Sequence, residues 1–407
     1  MNITTKQKYN EPVLRFPEFS GKWEVKKLSD VARITTGSTP STSNSKYYGG
    51  HRLFVSPADL AQNRYIFETK TTLTESGFLN GREVQKGSVL FVCIGSTIGK
   101  VGQCSVNCLT NQQINALFAK SHSLNDFIFS LLEKKAPRIK LMAGVQAIPQ
   151  INKSDFSKFK FNFPNFPEQQ KIASFLTSVD TKIEQLRKKK SLLEKYKKGM
   201  MQKLFNQELC FKDNEGNDYP DWKEMKLSDE TKVYDGTHQT PKYVKSGVPF
   251  YSVEHITADQ FSKTKFISEE VFEQERNRVA IEKGDILMTR IGSVGVAKYI
   301  SWDVRASFYV SLALIKVSSK IVGEYLAQYI TDDSFQRELW KRTIHVAFPI
   351  KINLGEIGNC FIRIPKQEEQ QKIANFLSAL DQKIDLVTSE LKQAQTFKKG
   401  LLQQMFV

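Results

Sequence analysis

Apolar residues recur every three or four positions along two long segments of the chain. In the first segment these positions are Ile172, Leu176, Val179, Ile183, Leu186 and Leu193. In the second segment they are Ile373, Leu377, Leu380, Ile384, Val387 and Leu391. This spacing is the seam of a coiled coil, so the pattern predicts two long helices with these residues at their interface. At 1.5 Å per residue the first, spanning residues 168–205, is a rod of roughly 57 Å.

The two helical segments are copies of each other. Residues 168–183 and 369–384 align without a gap at an offset of 201 residues, with 11 of 16 positions identical. Solenoid repeats have periods of up to about 50 residues, so this repeat indicates a duplicated domain plus helix with approximate twofold symmetry. An antiparallel pair of helices buries both apolar stripes. The alternative is that each helix packs only on its own globular domain.

A block of different texture precedes each helix. Its short runs at 88–92 and 285–289, separated by glycine turns, predict β-strands. Several landmarks recur in both blocks: Trp23 and Trp222, Gly37 and Gly236, Ile94-Gly95-Ser96 and Ile291-Gly292-Ser293, and Pro149 and Pro349. The sequence therefore predicts an α+β protein with β-rich domains at 1–165 and 207–364 and helical spacers at 166–206 and 365–407.

Composition narrows the class of partner. The formal net charge is +16, with 59 Lys and Arg against 43 Asp and Glu, which favours a polyanion such as nucleic acid. The five cysteines show no C-x-x-C spacing, as is typical of a reducing cytoplasm. We find neither a signal peptide in residues 1–12 nor an apolar run long enough for a membrane span, so a cytoplasmic protein without membrane attachment is expected.

The motifs of common enzymes are missing or incomplete. Residues 95–101 resemble a phosphate loop, but the glycine spacing is one residue short and Val101 replaces the magnesium-binding hydroxyl. Cys104, Cys108 and His122 form an incomplete set for zinc. The histidines are scattered. We therefore expect no catalytic residue and no metal site, and hence a protein that is not an enzyme.

A β-rich domain closing in a Pro-x-x-x-Glu-Gln-Gln-Lys-Ile-Ala-x-Phe-Leu helix, followed by a second copy, resembles the specificity (S) subunit of type I restriction-modification systems. The resemblance implies two target recognition domains, separated by two helices that form an antiparallel coiled coil. Each domain would read one half of a bipartite, asymmetric DNA site. The coiled coil would set the spacer and dock methyltransferase subunits.

The resemblance also implies which partners do the chemistry. Double-stranded DNA, two methyltransferase (M) subunits and two restriction (R) subunits are the expected partners. No cofactor is expected on this chain, whereas S-adenosylmethionine, ATP and Mg would be bound by the partner subunits.

Polar residues beside the glycine turns are the candidate DNA contacts. In the first domain they are Thr36, Ser38, Thr39, Lys46, Ser96, Lys100 and Gln146. In the second domain they are Thr237, His238, Gln239, Arg290, Ser293 and His345. Arginine suits guanine and glutamine suits adenine, because these pairings are bidentate in the major groove. Arg290 aligns with Cys93, so the two domains cannot use this position alike. The basic run at 187–190 is either a solvated helix face or a contact to phosphate or an acidic partner.

Three other functions fit parts of the pattern. A stand-alone DNA-binding regulator would need no methyltransferase. A scaffold with two divergent binding domains would need no DNA, although the positive charge argues against it. The third is a recognition module detached from a fused methyltransferase-nuclease. The second helix argues against it, because this helix continues to the end of the sequence.

Overall fold

The first half of the chain alternates short strands and helices before one long helix. The computed structural model describes residues 11–60, 63–143 and 149–407. The strands are β1 (Glu24–Lys27), β2 (Ala32–Thr36), β3 (Tyr48–Val55), β4 (Tyr65–Ile66), β5 (Thr71–Leu73), β6 (Val89–Val92), β7 (Val101–Cys104), β8 (Leu109–Thr110), β9 (Ile114–Ala119) and β10 (Lys160–Phe163). The helices are α1 (Leu28–Val31), α2 (Glu75–Leu79), α3 (Asn125–Leu141), α4 (Lys153–Lys158) and α5 (Phe166–Phe205).

The second half repeats this order. Its strands are β11 (Lys223–Lys226), β12 (Thr231–Asp235), β13 (Val248–Tyr251), β14 (Lys265–Ile267), β15 (Ile286–Thr289), β16 (Ala297–Tyr299), β17 (Ser307–Phe308), β18 (Leu312–Val317) and β19 (Phe361–Ile364). Its helices are α6 (Val253–Thr257), α7 (Glu269–Arg278), α8 (Gly323–Ile330), α9 (Asp333–Arg342), α10 (Leu354–Gly358) and α11 (Gln367–Met405). The two long helices predicted from the sequence are thus confirmed as α5 and α11.

The sheets of the two domains share one topology. In the first domain the strand orders are β2-β9-β6-β7-β4, β5-β3-β8 and β1-β10. In the second they are β12-β18-β15-β16, β14-β13-β17 and β11-β19. Each strand of the second domain therefore has a counterpart in the first, and only β4 lacks one among the described residues. The predicted duplication, with its α+β class, is confirmed at the level of strand pairing.

The central strands β6 and β15 are buried on both faces. Val89 and Phe91 of β6 pack in one hydrophobic cluster, whereas Leu90 and Val92 pack in another. The short runs predicted as strands are thus continuous apolar segments, which is the pattern of a strand covered on both sides. One of these clusters in each domain includes the helices that follow the sheet and the beginning of a long helix.

Two compact units divide the chain. One consists of residues 1–189 and 387–407, and the other of residues 190–386. Each unit therefore contains one β-rich domain, one end of α5 and one end of α11. The domain boundaries expected from the sequence fall close to the ends of β10 and β19, but the units show that each domain packs with parts of both long helices.

Within each unit the helix ends run antiparallel. In the first unit Trp23 contacts both Glu168, at the start of α5, and Phe406, just beyond the end of α11. In the second unit Trp222 contacts Glu369, at the start of α11, and also Tyr325, whose ring packs on Phe205 at the end of α5. The start of one long helix therefore meets the end of the other in both units.

The residues predicted for the helix interface are all withdrawn from solvent to some degree. Those that are buried are Ile172, Leu176, Ile183, Leu186, Ile373, Leu377, Leu380 and Val387. Those that are half-buried are Val179, Leu193, Ile384 and Leu391. Ile172, Leu176, Ile373 and Leu377 belong to the domain cores, so the beginning of each helix also packs on its own domain. The alternative interpretation, packing of each helix on its own domain, thus applies to the beginning of each apolar stripe.

None of the described helices is long and apolar enough to cross a membrane.

Candidate nucleic-acid interface and helix anchors

Three loops of the first domain converge at one end of its larger sheet. We call residues 36–40, 93–99 and 110–113 the first loop cluster. Backbone hydrogen bonds hold it together: Gly37 N–H donates to Ile114 O at 3.0 Å, and Cys93 N–H donates to Gln113 O at 2.8 Å. Gly95 N–H donates to Pro149 O at 2.9 Å, which brings a fourth segment to the same place. Loops at a sheet end, held by a rigid scaffold, are a common place for binding residues.

Polar side chains cross-link the first loop cluster. The Thr36 hydroxyl donates to Asn115 Oδ1 at 2.8 Å, and the Thr39 hydroxyl donates to Gln112 Oε1 at 2.7 Å. Ser38 Oγ accepts from the backbone N–H of Arg82 at 2.7 Å. The predicted residues Thr36, Ser38 and Thr39 are therefore brought together on one loop, where each also positions a neighbour.

The other predicted residues of the first domain lie further apart. Ser96 is exposed in the turn between the antiparallel strands β6 and β7, at the tip of the first loop cluster. Lys100 lies at the far end of that turn and donates to Pro57 O at 3.0 Å. Lys46 is exposed on a separate 3-10 turn, Ser45–Tyr47. Gln146 lies outside the described residues.

Four loops converge in the same way in the second domain. We call residues 235–240, 290–295, 308–311 and 344–351 the second loop cluster. Thr237 N–H donates to Phe308 O at 3.1 Å, and Arg290 N–H donates to Ser311 O at 2.9 Å. Gly292 N–H donates to Ile350 O at 2.8 Å. The structure therefore brings the six residues predicted in this domain to one end of its sheet.

Besides Arg290, three of these six side chains already have partners within the domain. His238 Nε2 lies 2.6 Å from Asp235 Oδ2, and His345 Nε2 lies 2.9 Å from the Trp340 carbonyl oxygen. The Thr237 hydroxyl donates to Gln239 O at 3.2 Å. The side chains of Gln239 and Ser293 are exposed.

Arg290 and Cys93 occupy equivalent positions with different chemistry. Cys93 accepts from Ile151 N–H and Arg290 accepts from Ile352 N–H, so the same backbone pair is formed in both domains. The Arg290 side chain is buried and donates to the carbonyl oxygens of Ile352 at 3.2 Å and Val310 at 2.6 Å. Burial lowers the pKa of Arg290 and raises the pKa of the Cys93 thiol to about 12. Arg290 therefore braces the cluster through backbone contacts, and any contact with a base needs its remaining N–H groups.

Two glycine landmarks have a steric origin. A Cβ on Gly37 would lie 2.2 Å from Asn111 O, and one on Gly236 would lie 2.1 Å from Phe308 O. No side chain fits at that distance, so only glycine lets the chain leave the sheet here. This explains why the two domains share a glycine at this point although their flanking residues differ.

Residues outside the predicted set also line the clusters. In the first domain they are the amides of Gln112 and Gln113, immediately before β9. In the second domain they are the exposed Val346 and Phe348. A run of amides before a buried strand was a usable signal for the former. The apolar pair gave no signal, because its exposure depends on the tertiary structure.

The repeated Glu-Gln-Gln motif anchors each long helix to its domain. Trp23 Nε1–H donates to Glu168 at 3.2 Å, and Trp222 Nε1–H donates to Glu369 at 3.1 Å. The two carboxylates differ in one respect: Glu168 also accepts two hydrogen bonds of 2.8 Å from Arg15. Burial raises the pKa of Glu369, and the indole hydrogen bond opposes this shift.

The first glutamine of the motif closes the helix start. Gln169 Nε2–H donates to Pro164 O at 2.9 Å, and Gln370 Nε2–H donates to Pro365 O at 3.0 Å. In the second unit Gln370 Oε1 also accepts from Val322 N–H at 2.8 Å. Both glutamines are buried. The repeated motif is therefore explained by the attachment of helix to domain.

Lysines interrupt the apolar stripes at positions where they pair with carboxylates of other helices. Lys398 of α11 contacts Asp180 of α5 at 2.6 Å and Glu133 of α3 at 2.5 Å. In the second unit Lys197 of α5 contacts Asp381 of α11 at 2.6 Å. Asp180 and Asp381 are separated by 201 residues, as are Lys197 and Lys398. The same two positions of the repeat therefore form an ion pair in both units.

Arg64 strengthens the network of the first unit. It contacts Asp180 at 3.1 Å and pairs closely with Asp126 of α3. The guanidinium also lies over the Phe129 ring, 4.5 Å from its centroid. In the second unit the carboxylate of the pair is supported by Gln328, which donates to Asp381 at 2.7 Å. Among the described residues, the network around Asp180 thus contains more charged groups than the one around Asp381.

The basic run at 187–190 lies on α5. Lys188 and Lys189 are exposed, and Lys190 pairs with Glu194 at 3.6 Å. Arg187 donates to Asn63 Oδ1 at 3.4 Å. Among the residues that the structure describes, no cluster of three His, Cys, Asp or Glu side chains could hold a metal ion.

Comparison with known proteins identifies relatives of the whole chain. The family described as "Type I restriction modification DNA specificity domain" matches twice, at residues 20–195 and 219–396. The type I restriction enzyme MjaIX specificity subunit of Methanocaldococcus jannaschii is 25% identical over 395 residues, covering 93% of this chain and 90% of the relative. The MjaVIII specificity subunit of the same organism is 25% identical and covers 96% and 92%.

A solved structure shows the same fold. The crystal structure of the type I restriction-modification system S subunit from M. genitalium matches with a TM-score of 0.67 and 17% identity. The match covers 98% of this chain and 99% of that chain. The fold expected from the sequence is therefore confirmed.

Proposed function

The chain belongs to the type I restriction modification DNA specificity domain family, and from this premise we propose that its two domains each read one half of a bipartite, asymmetric DNA site. Specificity subunits are non-catalytic, and catalysis lies in the methyltransferase and restriction subunits. The chain thus supplies sequence recognition within a type I restriction-modification complex.

The observation that carries this proposal is the pair of loop clusters. The backbone N–H groups of Cys93 and Gly95 in the first cluster form the same hydrogen bonds as those of Arg290 and Gly292 in the second. Yet the first cluster has Thr36 and Asn115 where the second has Asp235 and Ala313. A common scaffold with unlike side chains presents different donors and acceptors, and such differences distinguish base pairs in the major groove. Two unlike half-sites are therefore expected.

Exposure is used to divide the candidate DNA contacts into groups. The side chains of Gln239, Ser293, Ser96 and Lys46 are exposed, and these residues are proposed to reach DNA directly. A second group is proposed to act from within the loop clusters, either by positioning neighbouring side chains or through its remaining hydrogen-bond donors. It consists of Thr36, Ser38, Thr39, Thr237 and Arg290. Those that stay candidate contacts from the sequence are Lys100, Gln146, His238 and His345.

The long helices are proposed to set the spacer between half-sites and to dock two M subunits, with two R subunits completing the complex. The repeated Glu, Gln, Asp and Lys contacts support a rigid attachment of helix to domain. S-adenosylmethionine, ATP and Mg are assigned to these partners.

Adenine methylation mapping tests the proposal directly. A bacterial strain carrying this chain and its methyltransferase subunits is compared with the same strain lacking only this chain. We expect a bipartite motif that disappears with the deletion. Unchanged methylation in the presence of an active methyltransferase contradicts the proposal and favours a regulator or a scaffold.

A further inference from the structure

A hairpin in the second domain carries two apolar side chains entirely in solvent. Val346 is 97% exposed and Phe348 is 105% exposed. The neighbouring Trp340 is 63% exposed, and its ring lies 4.0 Å from that of His345. Single exposed apolar residues are ordinary on protein surfaces, but fully exposed large apolar residues together on one projection mark a surface that meets a partner.

The base of this hairpin is firmly held. Ile344 N–H donates to Lys351 O at 2.7 Å, which closes a loop of residues 345–350. Gly292 N–H donates to Ile350 O at 2.8 Å, and the buried Arg290 side chain donates to Ile352 O at 3.2 Å. The tip therefore projects from the second loop cluster on a base that is hydrogen-bonded to its other loops.

The surroundings of the tip are positively charged. Residues 337–351 contain four basic side chains and one acidic side chain: Arg337, Lys341, Arg342, Lys351 and Glu338. Glu338 is engaged by Lys341 at 3.0 Å and by Arg342 at 2.7 Å. An apolar tip within a basic surround is complementary to a nucleic acid, which offers phosphates outside and base faces inside.

We propose that Phe348, with Val346 beside it, is a wedge that inserts between base pairs of the half-site read by the second domain. Apolar side chains that enter a base step unstack it and kink the duplex, and they make recognition depend on how easily that step deforms. The inference rests on the proposed function and adds a specificity element to it. DNA is favoured over a protein partner because the basic residues and the candidate base-reading loops surround the tip.

The Phe348→Trp substitution places a fluorescent indole at the tip and reports insertion directly. The variant chain is assembled with its methyltransferase subunits and titrated with a duplex that carries the mapped bipartite site. A second titration uses a duplex in which only the half-site read by the second domain is scrambled. Stacking on bases is expected to quench the fluorescence that the new indole adds to that of the parent chain. This quenching is expected only with the duplex that carries the intact site. Phe67→Trp, at another exposed phenylalanine in the first domain, is the matched control and is expected to show no change.

Binding affinity provides the second readout. Phe348→Ala is expected to weaken binding to the specific duplex roughly ten-fold, as loss of one base–aromatic contact does. Phe67→Ala is expected to leave the affinity unchanged. Because position 348 is in solvent, both Phe348 variants should keep the melting temperature of the parent chain, which is measured alongside.

The outcomes separate the wedge from the function on which it rests. A bipartite methylation motif, together with unquenched fluorescence of the Phe348→Trp chain and parental affinity of the Phe348→Ala chain, overturns the wedge alone. A fluorescence change on adding methyltransferase subunits without DNA overturns it too, and assigns the tip to a protein interface. The absence of any bipartite motif overturns both the proposed function and the wedge.

Discussion

Glu168 and Glu369 occupy the same position of the repeat in different electrostatic surroundings. Both are buried and both accept from a tryptophan indole. Within the described part of the chain, only Glu168 of these two has a cation beside it, since Arg15 forms a bidentate pair with its carboxylate. A buried carboxylate without a cation is costly in its ionised form, which is why the pKa of Glu369 is raised.

Glutamine at these two positions should have opposite effects. Glu369→Gln keeps the acceptor for Trp222 and removes the ionised group, so we expect a gain of up to about 1 kcal/mol in unfolding free energy at pH 7.5. Glu168→Gln breaks the Arg15 pair and should cost about 1–3 kcal/mol. Urea unfolding of the full chain measures both. An equal loss in the two variants contradicts the argument.

The pH dependence gives the sign of the effect. The pKa of Glu369 is higher in the folded state than the ordinary value of 4.5. Its contribution to the unfolding free energy is therefore fully present at a pH below 4.5 and is lost as the pH rises through the pKa of the folded state. The advantage of Glu369→Gln should therefore shrink as the pH is lowered from 7.5 toward 4.5. Unfolding curves at several pH values test this, and an advantage that grows on acidification would be the wrong sign.

At the scale of the helices, lysines within the apolar stripes form ion pairs with carboxylates of other helices. The side chain of Lys398 is 11% exposed and lies between Asp180 and Glu133. Burial raises the pKa of Glu133, and the nearby Lys398 ammonium opposes this shift. Its counterpart Lys197 is 17% exposed beside an Asp381 that is 39% exposed. The two lysines are therefore similarly buried, but the aspartate of the pair is 11% exposed in the first unit and 39% exposed in the second.

Methionine at these lysines should reveal that difference. Lys398→Met leaves the half-buried carboxylates of Asp180 and Glu133 without this cation, although Asp180 keeps its pair with Arg64, and should lower the unfolding free energy by about 1–3 kcal/mol. Lys197→Met removes a partly exposed pair and should cost about 1 kcal/mol or less. Thermal unfolding of both variants provides the comparison, and similar losses would show that burial of the pair is not the deciding factor.

Charge placed inside the helix stripe should abolish recognition of the whole site. Ile183→Lys combined with Ile384→Lys puts an ammonium at a buried and a half-buried position. We expect loss of binding to the bipartite duplex in an electrophoretic mobility assay of the assembled complex. Ser178→Lys with Ala379→Lys, exposed positions related by the same 201-residue offset, is the control. Parental binding by the Ile variants would refute the spacer role of the helices.

At the scale of the whole molecule, the chain consists of two copies of one domain whose loop residues differ. Each unit has its own hydrophobic core and its own Trp–Glu anchor. The helix contacts of the first domain also include Arg64 and Glu133, which pair with charges on α5 and α11. We therefore expect that an exchange of this domain between relatives must keep these contacts.

Exchange of residues 29–164 for the corresponding block of a relative, with Arg64 and Glu133 retained, should change one half of the methylated motif. The reason is that Trp23 and Glu168 lie outside the exchanged block and keep the anchor. Methylation mapping before and after the exchange is the measurement. A change in both halves would show that the domains do not read independently.

The sequence by itself determined the duplication, the two helices and the positions of their apolar stripes, because these depend on local periodicity and on a repeat visible to direct alignment. It also determined the shared landmarks: glycine, at positions 37 and 236, is the only residue type that fits against a backbone carbonyl at that distance. Such constraints act on single positions and are visible in single residues.

The tertiary structure alone decided which residues are exposed at the loop clusters and which are engaged. Arg290 was predicted as a base contact, yet its side chain is buried against backbone carbonyls. Phe348 has the composition of a core residue but stands in solvent. Lys398 interrupts an apolar stripe because Asp180 and Glu133, from two other helices, meet it there. Burial and pairing arise from segments distant in the chain, and no local pattern encodes them.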